Sequence, residues 1–369
     1  METGQPANLY DQCPESRYAQ PWIYAAWLDG LFILLPPFAA LTCILLFPQV
    51  FSQYQREIPT VWWVFLILLV DVSHVYATIY RTYLDPRAWK EQRTLLLLVP
   101  LLAWAGGVVL YTIGSDLFWR MLAYLAVFHF VRQQYGFLRI YSRKEQQTRL
   151  GRLIDTLTIY LATIYPIICW HFTGPRNFNW FVDGDFIYLR GQGIVMAAGI
   201  LYALVVLAYM LKEGMCAVKE RSINIPKQLL VAGTALSWYF GIVYFNGDLA
   251  FTLLNVVSHG IPYMALVWIY GRKRYYPGPA PQKHLLRNVF SNYGIVLFIG
   301  IVALLAYIEE GLWDGLVWRE HGSVFTWFSS LPVMTDTSLM SMLVPLLALP
   351  QLTHYILDGF IWKRKATGF

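Results

Sequence analysis

Charge is the scarcest resource in this sequence. Only 14% of its 369 residues are Asp, Glu, Lys or Arg, against roughly 25% in ordinary soluble domains. Apolar residues make up 57%, aromatics 17%, and mean hydropathy is +0.46. So few charges cannot cover a water-facing surface, which excludes the two or three soluble domains that the length alone would allow at roughly 150 residues each. A chain this apolar is not disordered either. Cysteine is sparse and scattered: Cys13, Cys43, Cys169 and Cys216 form no C-x-x-C pair, so a disulfide scaffold or a zinc ribbon is excluded. Low-complexity segments are absent. Asp71-Val-Ser-His74 and Asn255-Val-Val-Ser-His259 echo each other only one residue out of register, which is no repeat.

What is present is a series of long apolar stretches. About 20 residues at 1.5 Å each cross roughly 30 Å of hydrocarbon, and about ten such stretches occur: 25–47, 61–84, 94–113, 116–141, 153–172, 193–211, 228–245, 250–270, 287–308 and 340–362. The first follows a polar tail with no basic n-region, so it is expected to be a retained span and not a cleaved signal. The fold class expected is all-α, a polytopic membrane protein forming one transmembrane domain over 1–369. The gaps at Gly114-Ser115 and Asn246–Asp248 make spans three and four, and seven and eight, antiparallel neighbours.

The basic residues test this count independently. The loops after spans two, four, six and eight and the C-terminal tail hold eighteen Lys and Arg; the opposite loops hold four (Arg56, Arg176, Arg190 and Arg319). Cytoplasmic loops carry the excess of Lys and Arg, so both termini are expected in the cytoplasm of a bacterial-style inner membrane. The net charge of +6 is a topology signal and not a nucleic-acid footprint. The segment 309–339, with Glu309, Glu310 and Asp314 among tryptophans, is expected to be a long external loop.

An ionisable group at the bilayer centre costs roughly 2.5–3.5 kcal/mol even on the lenient insertion scale. Of seven histidines, His284 and His321 fall in loops and His171 at a span end. The remaining four, His74, His129, His259 and His354, lie inside spans two, four, eight and ten, which all run in the same direction. They precede the basic residues taken as cytoplasmic markers (Arg81, Arg139, Arg272 and Lys363) by 7, 10, 13 and 9 positions. This places them in one layer roughly 10–20 Å deep. Each has polar company at helical spacing: Asp71 and Thr78 with His74, Arg132 and Gln133 with His129, Asn255 and Tyr263 with His259, Gln351 and Asp358 with His354. Pro262 and Pro350 are expected to kink their helices.

One such histidine ordinarily bridges two helices by a hydrogen bond. Four at one depth with two carboxylates match the donors of an imidazole-rich metal site, with Asp71 and Asp358 as ligands or as groups orienting the rings. Iron, as one ion or two, is the metal expected. Zinc is a lesser alternative because three protein ligands usually suffice for it. A two-haem cytochrome would place two histidines about four turns apart on each of two helices, whereas here each helix carries one; a single haem between two opposed histidines stays open as a lesser alternative. A transporter reading would use an Asp/His proton relay with Pro36-Pro37 as a helix break, but spans five to seven show little interior charge. An acyltransferase could use one of these histidines beside Asn255 as its base, leaving three unexplained.

The arrangement resembles the integral-membrane, histidine-rich non-haem iron proteins. It is nearest to the bacterial β-carotene dioxygenase (Brp/Blh) type, through Ser258-His259-Gly260 and His354-Tyr-Ile-Leu-Asp358. It lacks the clustered H-x-x-x-H boxes of the desaturase group. The resemblance implies an oxidase or oxygenase acting on a lipid or isoprenoid that enters from the membrane, with an electron donor as a further partner. Tyr135, Arg132, Gln133 and Asn255 are then expected to shape the pocket.

Overall fold

The computed structural model describes residues 20–276 and 285–362, and those residues contain helices but no strand. Cys13, Lys283, His284 and the basic tail Lys363–Lys365 lie outside the described residues, as do both termini. The first helix, α1, is a bent pair, Ala26–Leu34 and Pro36–Leu46, with 53° between its halves. Next come α2 (Thr60–Arg81), α3 (Pro86–Ile113), α4 (Ser115–Tyr141), α5 (Arg149–Phe172) and α6 (Gln192–Glu220). Helix α7 is Ile225–Trp238 continued by a wide π turn, Tyr239–Tyr244, and α8 is Asp248–Tyr275. The last two are α9 (Ile295–Trp318) and a second bent pair, α10, Thr337–Leu347 and Leu349–Ile361, at 43°.

The starts are set by local chemistry. Asp85, Thr148, Asn224 and Asp336 each accept a hydrogen bond from an amide two or three residues on, at 2.9–3.2 Å, which satisfies first-turn donors that have no helical partner. Pro86 and Pro226 occupy first-turn positions, where no N–H is needed.

Six helices (α2, α3, α5, α6, α8 and α9) are long and apolar enough to cross a membrane by length and composition, and the bent pairs α1 and α10 bring this to eight. Helices α4 and α7 stand where spans four and seven were expected but do not belong to that set. Arg120, His129, Arg132, Gln133 and Gln134 all fall within α4 and lower its mean hydropathy; His129 and Gln134 are buried, whereas Arg132 is exposed. The ninth span is displaced from the expected 287–308. A short helix, Leu285–Val289, comes first. The chain then turns at Gly294, where a Cβ would lie 2.2 and 2.1 Å from the carbonyl oxygens of Asn288 and Val289. At its far end α9 absorbs the start of the supposed external loop, because its carboxylates find protein donors. Glu309 accepts from Gln351 Nε2 at 2.8 Å and Asp314 accepts from the His321 amide at 2.6 Å.

Helix α8 is the axis of the bundle. Eighty-three per cent of its most apolar window is buried, against 6% for α6 and 17% for α3, so α8 is interior while α6 and α3 present bare apolar faces. Helix α2 packs on α8 and α10, and α10 on α4. Gln133 Nε2 on α4 donates to the His259 carbonyl on α8 at 3.0 Å. The four histidine-bearing helices thus close into a ring, although α2 and α10 are far apart in sequence. Around it, α1 lies against α7 and α8, α3 against α4 and α10, and α9 against α2, while α6 touches chiefly α5. The α3–α4 and α7–α8 pairs are neighbours, as their short connections required.

Two expectations about charge are corrected. Arg81 is not an interfacial marker: it is buried (4% exposed), its guanidinium lies 3.9 and 4.1 Å from the Tyr270 and Trp362 ring centres, and it donates to the Ile361 carbonyl. It fastens the ends of α2, α8 and α10 together. Nor is the α5–α7 region free of interior charge. Lys227 is buried and reaches Glu145 and Glu213, each at 2.7 Å, with Asp155 at 3.9 Å; Lys212 pairs with Asp155 and with Glu213. In the sequence Lys212 and Lys227 read as loop charges, and nothing local shows that Glu145, Asp155 and Glu213 converge on them. Lys227→Ala takes its lysine from Glu145 and leaves Asp155 and Glu213 to share Lys212, and breaking a buried pair costs about 3–5 kcal/mol. The unfolding midpoint in detergent should fall by many degrees, whereas Lys219→Ala on the exposed side of α6 should leave it in place. Equal midpoints for the two variants would show that the network holds nothing together.

Candidate metal centre

The interior of the ring formed by α2, α4, α8 and α10 is filled by His74, His129, His259 and His354. Each is 1–3% exposed. Their rings meet edge to face around a closed circuit, with centroid separations of 4.6 Å (His74–His259), 5.0 Å (His259–His129), 4.4 Å (His129–His354) and 5.0 Å (His354–His74). One nitrogen from each lies within 4.8 Å of the other three. His74 Nε2 and His259 Nε2 face each other at 3.1 Å, while His129 Nε2 and His354 Nε2 have no hydrogen-bond partner.

Local backbone geometry allows this convergence. Helix α2 contains a π segment, Val64–Val72, immediately before His74; such wide turns recur at functional sites. Ser73 Oγ donates to the Leu68 carbonyl within it at 2.9 Å. Helix α8 approaches α2 at Gly260, where a Cβ would meet Val70 Cγ1 at 2.8 Å, the Val70 carbonyl at 3.0 Å and His74 Nδ1 at 3.4 Å. Pro262 sits inside α8 without breaking its helical run, and Pro350 lies beside the bend in α10. On the far side Phe130 stacks on His259, 3.5 Å between centroids and 10° from parallel. Trp180, from the loop between α5 and α6, packs on Phe130 at 5.1 Å. These aromatics plug one side of the cluster.

A hydrogen-bonded chain fixes one of the rings. Tyr263 OH donates to Asp358 Oδ1 at 2.7 Å, Thr78 Oγ1 lies 2.8 Å from the Tyr263 oxygen, and His354 Nδ1 lies 2.6 Å from Thr78 Oγ1. With Asp358 a carboxylate, the Tyr263 proton is committed to it, so Tyr263 accepts from Thr78. Thr78 in turn accepts from His354 Nδ1–H. A neutral imidazole carries one proton; His354 Nε2 therefore keeps its lone pair and presents it to the cluster. The sequence pointed to Thr78 and Tyr263 only as neighbours on a stripe; their link across three helices needed the fold.

The carboxylates stand beside the rings and not between them. Asp358 lies 3.8 Å from His129 Nδ1 and 3.9 Å from His354 Nδ1. Asp71 lies 3.6 Å from His74 Nδ1 at the rim, its side chain 34% exposed. Both face Nδ1 atoms, which suits groups that orient imidazoles better than it suits ligands. Gln133 reaches the site through the His259 carbonyl. The other three pocket residues expected from the sequence belong elsewhere. Arg132 is exposed, donates to Tyr160 on α5 at 2.8 Å and lies over the Tyr135 ring at 5.1 Å, so both Arg132 and Tyr135 serve the α4–α5 contact. Asn255 donates to its own helix at the Phe251 carbonyl, 2.9 Å, and lies against Gly241 of α7. Six positions of helix rotate Tyr135 well away from the face of His129.

The other described histidines are ordinary. His171 lies 2.6 Å from Tyr124 OH and 2.7 Å from the Ile167 carbonyl, and His321 stacks on Trp63 at 4.0 Å. Glu309, buried and bonded to Gln351, and Asp314 were missed as interior groups because they follow the apolar run of α9 and read as a loop. No protein-family model matches this chain, and no curated protein or solved structure does either.

The four donors fit a transition metal. Four nitrogens bound tetrahedrally to one ion at roughly 2.0–2.1 Å stand about 3.3–3.4 Å apart, so atoms now within 4.8 Å of one another would close by up to about 1.4 Å to hold a single centre. Two neutral imidazoles facing by Nε2 share one lone-pair region that only a proton or a cation can occupy. The close α2–α8 contact is testable directly. Gly260→Ala forces the Val70 backbone away and should cost about 1–3 kcal/mol, read as a lower unfolding midpoint. At Gly359 of α10 a Cβ meets nothing within 4 Å, so Gly359→Ala should raise the midpoint slightly, by up to about 1 kcal/mol of helix propensity. The same response at both positions would argue against the close approach.

Proposed function

We propose that this protein is a membrane-embedded, metal-dependent oxidoreductase. His74, His129, His259 and His354 hold one non-haem iron, and the substrate is an apolar lipid or isoprenoid. The observation that carries the reading is the convergence of four buried imidazole nitrogens within 4.8 Å of one another, two of them without a protein partner. An all-imidazole donor set suits iron, copper, nickel or zinc; iron and copper both join redox chemistry to oxygen, which dissolves well in lipid, and iron is the one that the resemblance to histidine-rich non-haem iron proteins implies. Iron held there would supply oxygen activation, with electrons from a separate donor. A second ion would require bridging carboxylates, and Asp71 and Asp358 stand on the Nδ1 faces, so one ion is the simpler occupancy.

The chain's own residues do the rest. Asp358, Tyr263 and Thr78 hold His354 in the tautomer with a free Nε2. Phe130 and Trp180 exclude water from one side, which favours a substrate arriving through the lipid. The topology belonging to this reading has ten spans, α4 and α7 included, with the basic loops and both ends of the chain in the cytoplasm of a bacterial-style inner membrane.

Purified protein should retain about one transition-metal ion per chain by elemental analysis, iron in preference to zinc. His→Ala at position 74, 129, 259 or 354 should remove most of it. Partners that orient metal-bound histidines are typically worth 10–100-fold in affinity, so Thr78→Val and Asp358→Asn should each weaken retention against a chelator by about that factor while the fold persists. Well-folded protein free of metal would refute the metal centre; histidine variants that keep their metal would refute this ligand set. For the topology, a single cysteine in the α4–α5 loop of intact cells should resist a membrane-impermeant thiol reagent, and one in the α5–α6 loop should react. The reverse pattern would overturn the orientation.

A further inference from the structure

Beside the histidine cluster lies a cavity of about 310 Å³ between α2, α3 and α10. It owes its existence to two prolines. The 43° bend of α10 between Leu347 and Leu349, next to Pro350, draws that helix away from its neighbours. Pro100 interrupts the hydrogen bonding of α3, and the Leu96 carbonyl, left without a helical donor, accepts from Tyr83 OH of the segment after α2 at 3.0 Å. Leu346 at the rim is half exposed (50%) and the outer face of α3 is bare, so the mouth opens on the apolar belt. Val75, Ile79 and Leu349 line the walls, and the inner end is formed by Thr78, Thr353 and the His354 ring.

We propose that this cavity binds the chain of a neutral lipid bearing one hydroxyl or carbonyl group, and that Thr353 hydrogen-bonds that group. The reading of His354 as part of a metal centre makes this lipid the substrate. Three observations fix the class of ligand. The volume is about twice the roughly 150 Å³ of an engineered cavity that accepts one benzene, so it takes about ten to twelve carbons, a segment of an alkyl or isoprenoid chain. Among the described residues no Lys, Arg, Asp or Glu lines it, and an unpaired charge in an apolar pocket is costly, which disfavours carboxylates and phosphate head groups. Finally, the Thr353 hydroxyl is buried with no partner. A buried hydroxyl left unsatisfied costs about 1–3 kcal/mol, and a ligand oxygen relieves that cost where a pure hydrocarbon does not. A chain so held ends against one face of the His354 imidazole, whose Nε2 belongs to the four-nitrogen cluster.

The test uses the full chain in phosphatidylcholine nanodiscs with a diazirine-bearing twelve-carbon alcohol as photoprobe. Cross-linked peptides are mapped by mass spectrometry, and the metal content of the same preparation is measured. Labelling should concentrate on α2 (75–83), α3 around position 100 and α10 (346–354), and dodecanol should compete better than dodecane or dodecanoate. Leu349→Trp inside the cavity and Leu346→Trp at its lipid-facing mouth should each cut labelling about tenfold. Thr353→Val should erase the preference for dodecanol over dodecane, about a two- to tenfold effect for one hydrogen bond. Labelling that simply follows lipid exposure, as strong on α6 as on the cavity helices, would overturn the proposal. So would competition by dodecanoate equal to that by dodecanol, or indifference to both tryptophans. Metal-loaded protein without cavity labelling refutes the lipid site alone. Metal-free protein with cavity labelling refutes the metal centre and leaves the lipid site standing.

Discussion

The arrangement of the whole bundle depends on one demand: four imidazole rings must meet in an interior otherwise made of hydrocarbon. Each ring brings two polar nitrogens to a place without water, and a buried polar group without a partner is costly. The helices carrying them therefore pack as a closed ring, and α8, which touches the others through His259, Gly260 and Tyr263, becomes the most deeply buried element. Gly260 is the price of that approach: only a residue without a side chain lets α8 lie against Val70 and His74 at the observed distance.

Polar groups in this molecule are segregated by role. Around the histidines, Asp358, Tyr263, Thr78 and Gln133 supply short, directional hydrogen bonds that set ring orientation. At the junction of α5, α6 and α7, Lys212 and Lys227 pair with Asp155, Glu145 and Glu213, a compact knot of two cations and three carboxylates suited to holding helices together. Arg81 does a similar service for α2, α8 and α10 through two aromatic faces and a carbonyl. The first group is left with free lone pairs and the others are not. That contrast makes the histidine cluster the candidate for chemistry.

The surroundings of the cluster are asymmetric. Stacked aromatics, Phe130 and Trp180, close one side, and on another the bend in α10 leaves an apolar cavity that ends at His354. The cluster is thus bordered by aromatic rings on one side and by apolar side chains on another, with the Asp71 carboxylate at its rim.

Much of this was legible in the residues. Runs of about 20 apolar residues located the helices, because hydrophobic length is a local property of the sequence. The four histidines stood out because an ionisable group at that depth needs a reason, and their shared depth follows from counting along helices of known rise. The apolar runs marked α4 and α7 as helices in spite of their polar residues but ended α9 early, because Glu309 and Asp314 resemble loop residues until Gln351 and the His321 amide are brought to them. Arg132 and Asn255 share a helical stripe with a histidine but meet other partners, and Tyr135 lies on another face. The chain through Thr78, Tyr263 and Asp358 spans 280 positions of sequence, and the cavity exists only where two proline-bearing helices diverge. Sequence determined which segments are helical and which residues are too polar to be incidental, since those depend on each residue and its near neighbours. Only the tertiary structure decided which of these groups meet, because that depends on how helices distant in the chain rotate and tilt against one another.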